Sequence, residues 1–208
     1  MKSKKMPSTP EKIYKKDTIV IASHNKGKIH EFKTLLSTFD VNIITPTDLG
    51  IGDIEETGSS FIENSKIKAQ SIPNDFITIA DDSGLCISSL NNNPGILSAR
   101  YARKNGGWYE AMENLYKKAI KKKPKNLSAK FVCSLTLRLN DVYYSYTGEV
   151  FGQIVWPPKG NNGFGYDPFF LPNGFNETFA EMEHRKKIMI DHRSIALKKL
   201  IKEHLTYS

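Results

Sequence analysis

TIVIASHNKGKIHEF, residues 18–32, changes its hydrophobic period partway along. Thr18–Ala22 is a short, nearly continuous apolar run, the pattern of a strand covered on both faces. Ile29, Phe32, Leu35 and Leu36 then recur at the 3.6-residue spacing of an amphipathic helix. Between them lies Ser23-His24-Asn25-Lys26-Gly27-Lys28, with Asn25 or Ser23 available to cap the helix. Gly27 lets backbone approach a ligand, and the helix amides with Lys28 offer a phosphate geometry as well as charge. A solvated loop accounts for the same residues. The segment is not a P-loop, which needs a longer glycine loop before Gly-Lys-Ser/Thr.

Working outward, VNIITP (41–46) reads as a second strand, and FIENSKIKAQSI (61–72) as a helix turning Phe61, Ile67, Ala69 and Ile72 inward. FITIA (76–80) is a further buried strand that is expected to end in an Asp81-Asp82-Ser83-Gly84 turn. LCISSL extends from that turn, and NNNPG is a loop. Trp108–Ile120 has a helical stripe of Ala111, Leu115 and Ala119 before a lysine run suited to a helix C-terminus. KFVCSLTLRL (130–139) and VYYSYTGEV (142–150) predict neighbouring, half-buried antiparallel strands. Gly- and Pro-rich loops fill 157–174, and a last helix covers roughly His192–His204. This alternation predicts an α/β fold with a mixed central sheet. Because both ends contribute helices, one domain over 17–208 with a cleft between two lobes is expected.

The chain carries a formal charge of +8 over 208 residues, which fits nucleic-acid binding, attraction of small polyanions, or solubility. Part of the excess lies in MKSKKMPSTPEKIYKK, and residues 1–16 read as a flexible basic tail without a core pattern. That tail lacks the apolar segment of a secretory signal, and no stretch is long enough to span a bilayer. Cys86 and Cys133 sit far apart in apolar surroundings and read as small core residues. A soluble, cytoplasmic protein is expected.

Three more polar clusters stand at the ends of apolar elements. Glu55 and Glu56 precede a helix capped by Ser59 or Ser60; they complement its N-terminus or share a hard cation with other acids. Asp81 and Asp82 point in different directions, so one can hold Mg²⁺ or activate water while the other orients the loop. In GFGYDPFF, Gly163 and Gly165 bring backbone close to a neighbour, and Phe164 or Tyr166 can stack on a base. His192 and Arg193 open the last helix and can reach carbonyl or phosphate oxygens. No zinc spacing and no Ser-His-Asp set is present. Acids for Mg²⁺, lysines for phosphates and an aromatic for a base describe a nucleotide pocket better than a nucleic-acid groove.

These segments, taken in order, resemble the non-canonical purine nucleoside triphosphate pyrophosphatase family (inosine triphosphatase, Ham1-like). The resemblance runs over residues 18–205 through SHNKGKIHEF, EETGSSFIENSKIKA, ADDSGL, PGILSARYA, GFGYDPFF, FAEM and the span from Lys187 to His192-Arg193. It implies hydrolysis of ITP, dITP and XTP to the monophosphate and pyrophosphate with Mg²⁺, by a homodimer with an elongated mixed sheet, needing neither nucleic acid nor membrane. It also implies that Ser23, His24, Asn25, Lys26, Gly27 and Lys28 surround the triphosphate. Asp82 would be proton acceptor and metal ligand, Glu56 a second ligand, Asp81 a supporting acid and Ser83 a substrate contact. Phe164, Gly165, Tyr166 and Asp167 would line the nucleoside pocket, faced by Lys187, His192 and Arg193. Asp191 departs from the family's usual Ser before His-Arg; capping the last helix is its simplest role. The rival readings are a pyrophosphatase for modified pyrimidine triphosphates and a nucleic-acid binder driven by net charge.

Overall fold

The computed structural model describes residues 11–123 and 125–205. The opening stretch forms strand β1 (Thr18–Ala22) and helix α1 (Lys26–Leu36), and Asn25 is the cap, its side chain accepting from the Lys28 amide. There follow β2 (Asn42–Ile44), α2 (Phe61–Gln70), β3 (Ile77–Ile87), β4 (Asn93–Pro94), α3 (Ser98–Lys104) and α4 (Trp108–Lys122). The chain continues as β5 (Ser128–Leu139), β6 (Val142–Ile154), β7 (Phe170–Pro172), α5 (His184–Ile190) and α6 (His192–His204).

The sheet order is β2-β1-β3-β5-β6-β7, with β4 paired on β3. β1 runs parallel to β2 and β3, while β3, β5, β6 and β7 are antiparallel neighbours, so the sheet is mixed as expected. The pairing of β1 with β3 stops at Ala22 and Ala80. β3 itself continues, and Asp81, Asp82, Ser83 and Gly84 pair with Leu135, Ser134, Cys133 and Val132 of β5. The expected turn at Asp81–Gly84 is therefore corrected to strand interior. Polar side chains did not end β3 because β5 supplies its backbone with partners; the strand that ends there is β1.

Alternation along β3 puts Ile79, Asp81, Ser83 and Leu85 on one face and Ala80 and Asp82 on the other. On the first face Ile79, Leu135 and Leu137 pack with Phe32 and Leu36 of α1 and Leu197 and Leu200 of α6. Further along the same strands, Leu85 and Phe131 pack with Ala111 and Leu115 of α4 and with Phe169 and Phe170. Asp81 and Ser83 fall between these two apolar clusters. The opposite face joins Val20 and Ala80 to Ala69 of α2 and to Ile72, just past the end of that helix.

Three expectations of burial change. β5 is buried on both faces, whereas β6 is half-buried as read. Phe61 and Ile67 of α2 are only partly buried, and Asn64, Ser65 and Lys68 take the inward face, because the sheet opposite them is polar. Ser65 Oγ, for example, lies 2.7 Å from Thr136 Oγ1. Of the expected tail, residues 1–10 lie outside the described residues, and Ile13 packs into the α1–α6 cluster beside Leu205. The loop region 157–174 also contains β7, and the seven-residue helices α3 and α5 were not foreseen. Cys86 and Cys133 are buried and unbonded. No helix among the described residues is long and apolar enough to cross a membrane.

Candidate active site

Where β1 stops, a cavity of about 600 Å³ opens, a size that suits a small ligand. Ser23, His24, Asn25 and Lys28 form one wall. Lys28 Nζ lies 2.9 Å from Asp81 Oδ2, and a ring nitrogen of His24 lies 3.0 Å from the Ile51 carbonyl oxygen. Burial works against ionising Asp81, but Lys28, Arg193 and Lys68 outweigh it and hold the carboxyl well below the usual range.

Asp82 faces α2 instead. Its Oδ2 accepts from Asn64 Nδ2 at 2.9 Å and its Oδ1 from the Ser83 amide at 2.9 Å. Burial, reinforced by Glu56, pushes Asp82 up to about 6 against the pull of Lys68 and Lys28. Glu56 accepts from Lys68 Nζ at 2.7 Å, and Asn64 also accepts from the Gly58 amide at 2.8 Å, tying the Glu56 loop to the strand carrying Asp82. Burial would lower the pKa of Lys68, but Asp81, Glu56 and Asp82 raise it, so the ammonium is retained.

The far wall comes from the loop before β7 and from α5 and α6. Lys187 Nζ donates to Glu31 Oε1 at 2.8 Å and to Asp167 Oδ2 at 2.6 Å. Arg193 donates to Glu31 Oε2, to Asp81 at 3.3 Å and to Ser83 Oγ at 3.1 Å. Asp81, Glu31, Arg193, Lys187 and Asp167 are all buried, so one ionic network connects the wall near α1 with the wall near α6. The Phe164 ring lies over Lys187 Nζ at 4.6 Å. It also fills the space beside Gly27, where a β-carbon would stand 2.4 Å from Phe164 Cδ1. The close approach expected of Gly27 is thus made by this ring. His192 stacks flat on Phe131, with centroids 4.7 Å apart at 9°. Burial and the neighbouring Arg193 lower its pKa well below the ordinary value, leaving a neutral imidazole whose Nδ1 has no partner.

A model of the Ham1 family matches residues 19–203. The chain belongs to the Ham1 family. It is 40% identical over 187 residues to a dITP/XTP pyrophosphatase of Zymomonas mobilis, covering 88% of this chain and 90% of that one. A dITP/XTP pyrophosphatase of Prochlorococcus marinus is 44% identical over 187 residues, covering 88% and 91%. Among solved structures, a HAM1 protein from Coxiella burnetii superposes with a TM-score of 0.82 at 37% identity, covering 89% of this chain and 97% of that one.

In this Ham1-family chain the sequence-expected residues converge. Ser23, His24, Asn25, Lys28, Glu56, Ser83, Phe164, Gly165, Tyr166, Asp167, Lys187, His192 and Arg193 line the cavity. Lys26 is exposed and, like Gly27, stands outside the lining; Asp81 and Asp82 lie behind it. Tyr166 is buried, with its hydroxyl 3.3 Å from the Ser98 carbonyl oxygen, which leaves Phe164 as the base-stacking candidate of the two. Asp191 caps α6, accepting from the Ser194 amide at 2.7 Å. Sequence reading missed Glu31, Asn64, Lys68 and Arg100. Glu31 sits beside the apolar stripe of α1 and is buried by cations 156 and 162 residues away. Asn64 and Lys68 share an i, i+4 face, the one local signal they offer.

Among the described residues no three His, Cys, Asp or Glu side chains are grouped to hold a metal. Mg²⁺ commonly takes one or two carboxylates together with substrate phosphates. Glu56 and Asp82 suit that pattern, since Glu56 already raises the proton affinity of Asp82 and a cation would relieve the same repulsion.

Proposed function

We propose that this chain hydrolyses the α–β anhydride of ITP, dITP and XTP, with Mg²⁺, to the nucleoside monophosphate and pyrophosphate. The carrying observation is that one cavity is lined by phosphate-binding, base-binding and acidic groups together: Lys28 of α1, Phe164 with Lys187, His192 and Arg193, and Glu56, with Asp82 buried behind the lining. Family membership and the names of the curated relatives support the same reading.

Charge balance supports a metal. The cations of the site are Lys28, Lys68, Arg100, Arg103, Lys187 and Arg193. Facing them are the carboxylates of Asp53, Glu55, Glu56 and Asp167 in the lining, with Glu31, Asp81 and Asp82 behind. The acids outnumber the cations, so the side chains alone do not offset a triphosphate. Glu56 and Asp82 would hold Mg²⁺, which would neutralise phosphate oxygens.

The chain's own groups have separable roles. Asp82, ionised above its raised pKa, orients a water and takes one proton as the water oxygen bonds to phosphorus. The bond to the bridging oxygen breaks, and the Lys28 ammonium meets the charge on the leaving pyrophosphate. Phe164 stacks on the purine, while donors on Lys187, His192 and Arg193 favour a 6-keto base; the 6-amino group of adenine would leave them unpaired. A cytoplasmic homodimer belongs to this reading on family resemblance alone.

The test is a panel of nucleoside triphosphates with Mg²⁺, scoring pyrophosphate and orthophosphate separately. Pyrophosphate from ITP and XTP, with little turnover of ATP or GTP, is expected. Orthophosphate release, or a preference for pyrimidine triphosphates, would overturn the assignment.

A further inference from the structure

Trp108, the first residue of α4, is a large apolar side chain left 38% exposed, and it borders the cavity. The backbone is shaped to deliver it there. Gly106 and Gly107 precede it at φ +93° and +144°, conformations that residues with a β-carbon rarely adopt. The six-membered ring of the indole lies over Gly165. Its Cη2 and Cζ3 are 3.7 Å, and its Cζ2 3.9 Å, from where a β-carbon on Gly165 would stand. Tyr166 meets the same indole edge to face, with centroids 5.0 Å apart at 87°. Trp108 therefore braces the segment that presents Phe164, while Phe164 itself rests on Lys187 and against Gly27.

An aromatic with exposed surface inside a cavity, beside the loop that carries the base-stacking ring, differs from an isolated hydrophobic residue on the outside. We propose that Trp108 is a specificity-determining residue that encloses the purine of the substrate together with Phe164. This rests on the nucleotide reading above and adds a wall from α4, an element that carries none of the expected site residues. A bicyclic base offers the indole more contact than a pyrimidine, so Trp108 contributes to purine preference as well as to affinity.

The chain has two tryptophans, and the other, Trp156, stacks on Tyr116 away from the lining. In a Trp156→Phe variant, Trp108 is the only indole emitter. This variant would be titrated with the non-hydrolysable α,β-imido analogue of ITP plus Mg²⁺, with calorimetry in parallel and tripolyphosphate as control. Emission is expected to change in step with the calorimetric isotherm and to stay constant with tripolyphosphate. Calorimetric binding without an emission change overturns the role of Trp108 and leaves the proposed function standing. Absence of binding overturns both. Kinetically, Trp108→Ala should raise KM for ITP about tenfold with kcat within about twofold, Trp108→Phe should recover most of it, and the ITP-to-UTP ratio of kcat/KM should narrow. An unchanged KM in Trp108→Ala also refutes the assignment.

Discussion

Replacing Glu31 by Gln removes one negative charge from the centre of the buried network while nearly keeping the side chain's shape. Glu31 is 1% exposed, and the two cations it serves, Lys187 and Arg193, are 2% and 1% exposed. Removing one partner from a buried ion pair costs about 3–5 kcal/mol, because the remaining charge is uncompensated. Here Lys187 keeps Asp167 at 2.6 Å and Arg193 keeps Asp81 at 3.3 Å, so the lower end, about 3 kcal/mol, is expected. For a chain of this size that is a fall in Tm of about 6–12 °C. Urea unfolding and thermal melts at pH 7 measure it. The pH dependence gives a second readout. Burial would raise the Glu31 carboxyl, but Arg193 and Lys187 outweigh it and hold it below the ordinary value. A lowered native pKa means stabilisation that is complete above the unfolded value, about 4.3, and is lost as pH falls through the native one. The gap between wild type and Glu31→Gln should therefore be full at neutral pH and close in acid. A loss under about 1 kcal/mol at pH 7, or a gap that persists in acid, would refute the account of a network held by charge.

Four further outcomes follow from the site. Asp82→Asn should lower kcat by at least about a hundredfold with KM little changed, the effect of losing a general base. In the metal-free protein the Asn amide sets a donor against Asn64 Nδ2 or the Ser83 amide, both of which donate to Asp82, so the variant loses a hydrogen bond as well as the buried charge. Asp82 is pushed up to about 6 by burial and Glu56, so its own contribution to stability falls as pH rises through 4 to 6 and the stability difference should shift against wild type relative to the Asn variant over that range; a pH-independent difference in EDTA contradicts this. Wild-type kcat/KM should fall below about pH 6, with the limb moving down as Mg²⁺ increases. Gly27→Ala should drive a methyl into Phe164, costing about 1–3 kcal/mol and raising KM for ITP. A melt and KM matching wild type would show that the ring shifts without consequence.

Local patterns in the sequence were sufficient for the strand–helix opening, α4, the β5–β6 pair and α6, and narrowed the α1 cap to Asn25 or Ser23, because periodicity and capping depend on residues a few positions apart. They were also enough to nominate most of the cavity lining, since glycines, adjacent acids and the His-Arg pair stand out against apolar runs. Tertiary structure alone decided the rest. Whether Asp81–Gly84 is a turn or a strand depends on β5, about fifty residues later, which pairs their backbone. Whether Glu31 is a solvated helix residue or the centre of a buried network depends on cations brought to it by α5 and α6. Likewise, the space that Gly27 leaves open is assigned to Phe164 by packing. Such charges become buried only when partners distant in the chain offset their desolvation, and no local period records that meeting.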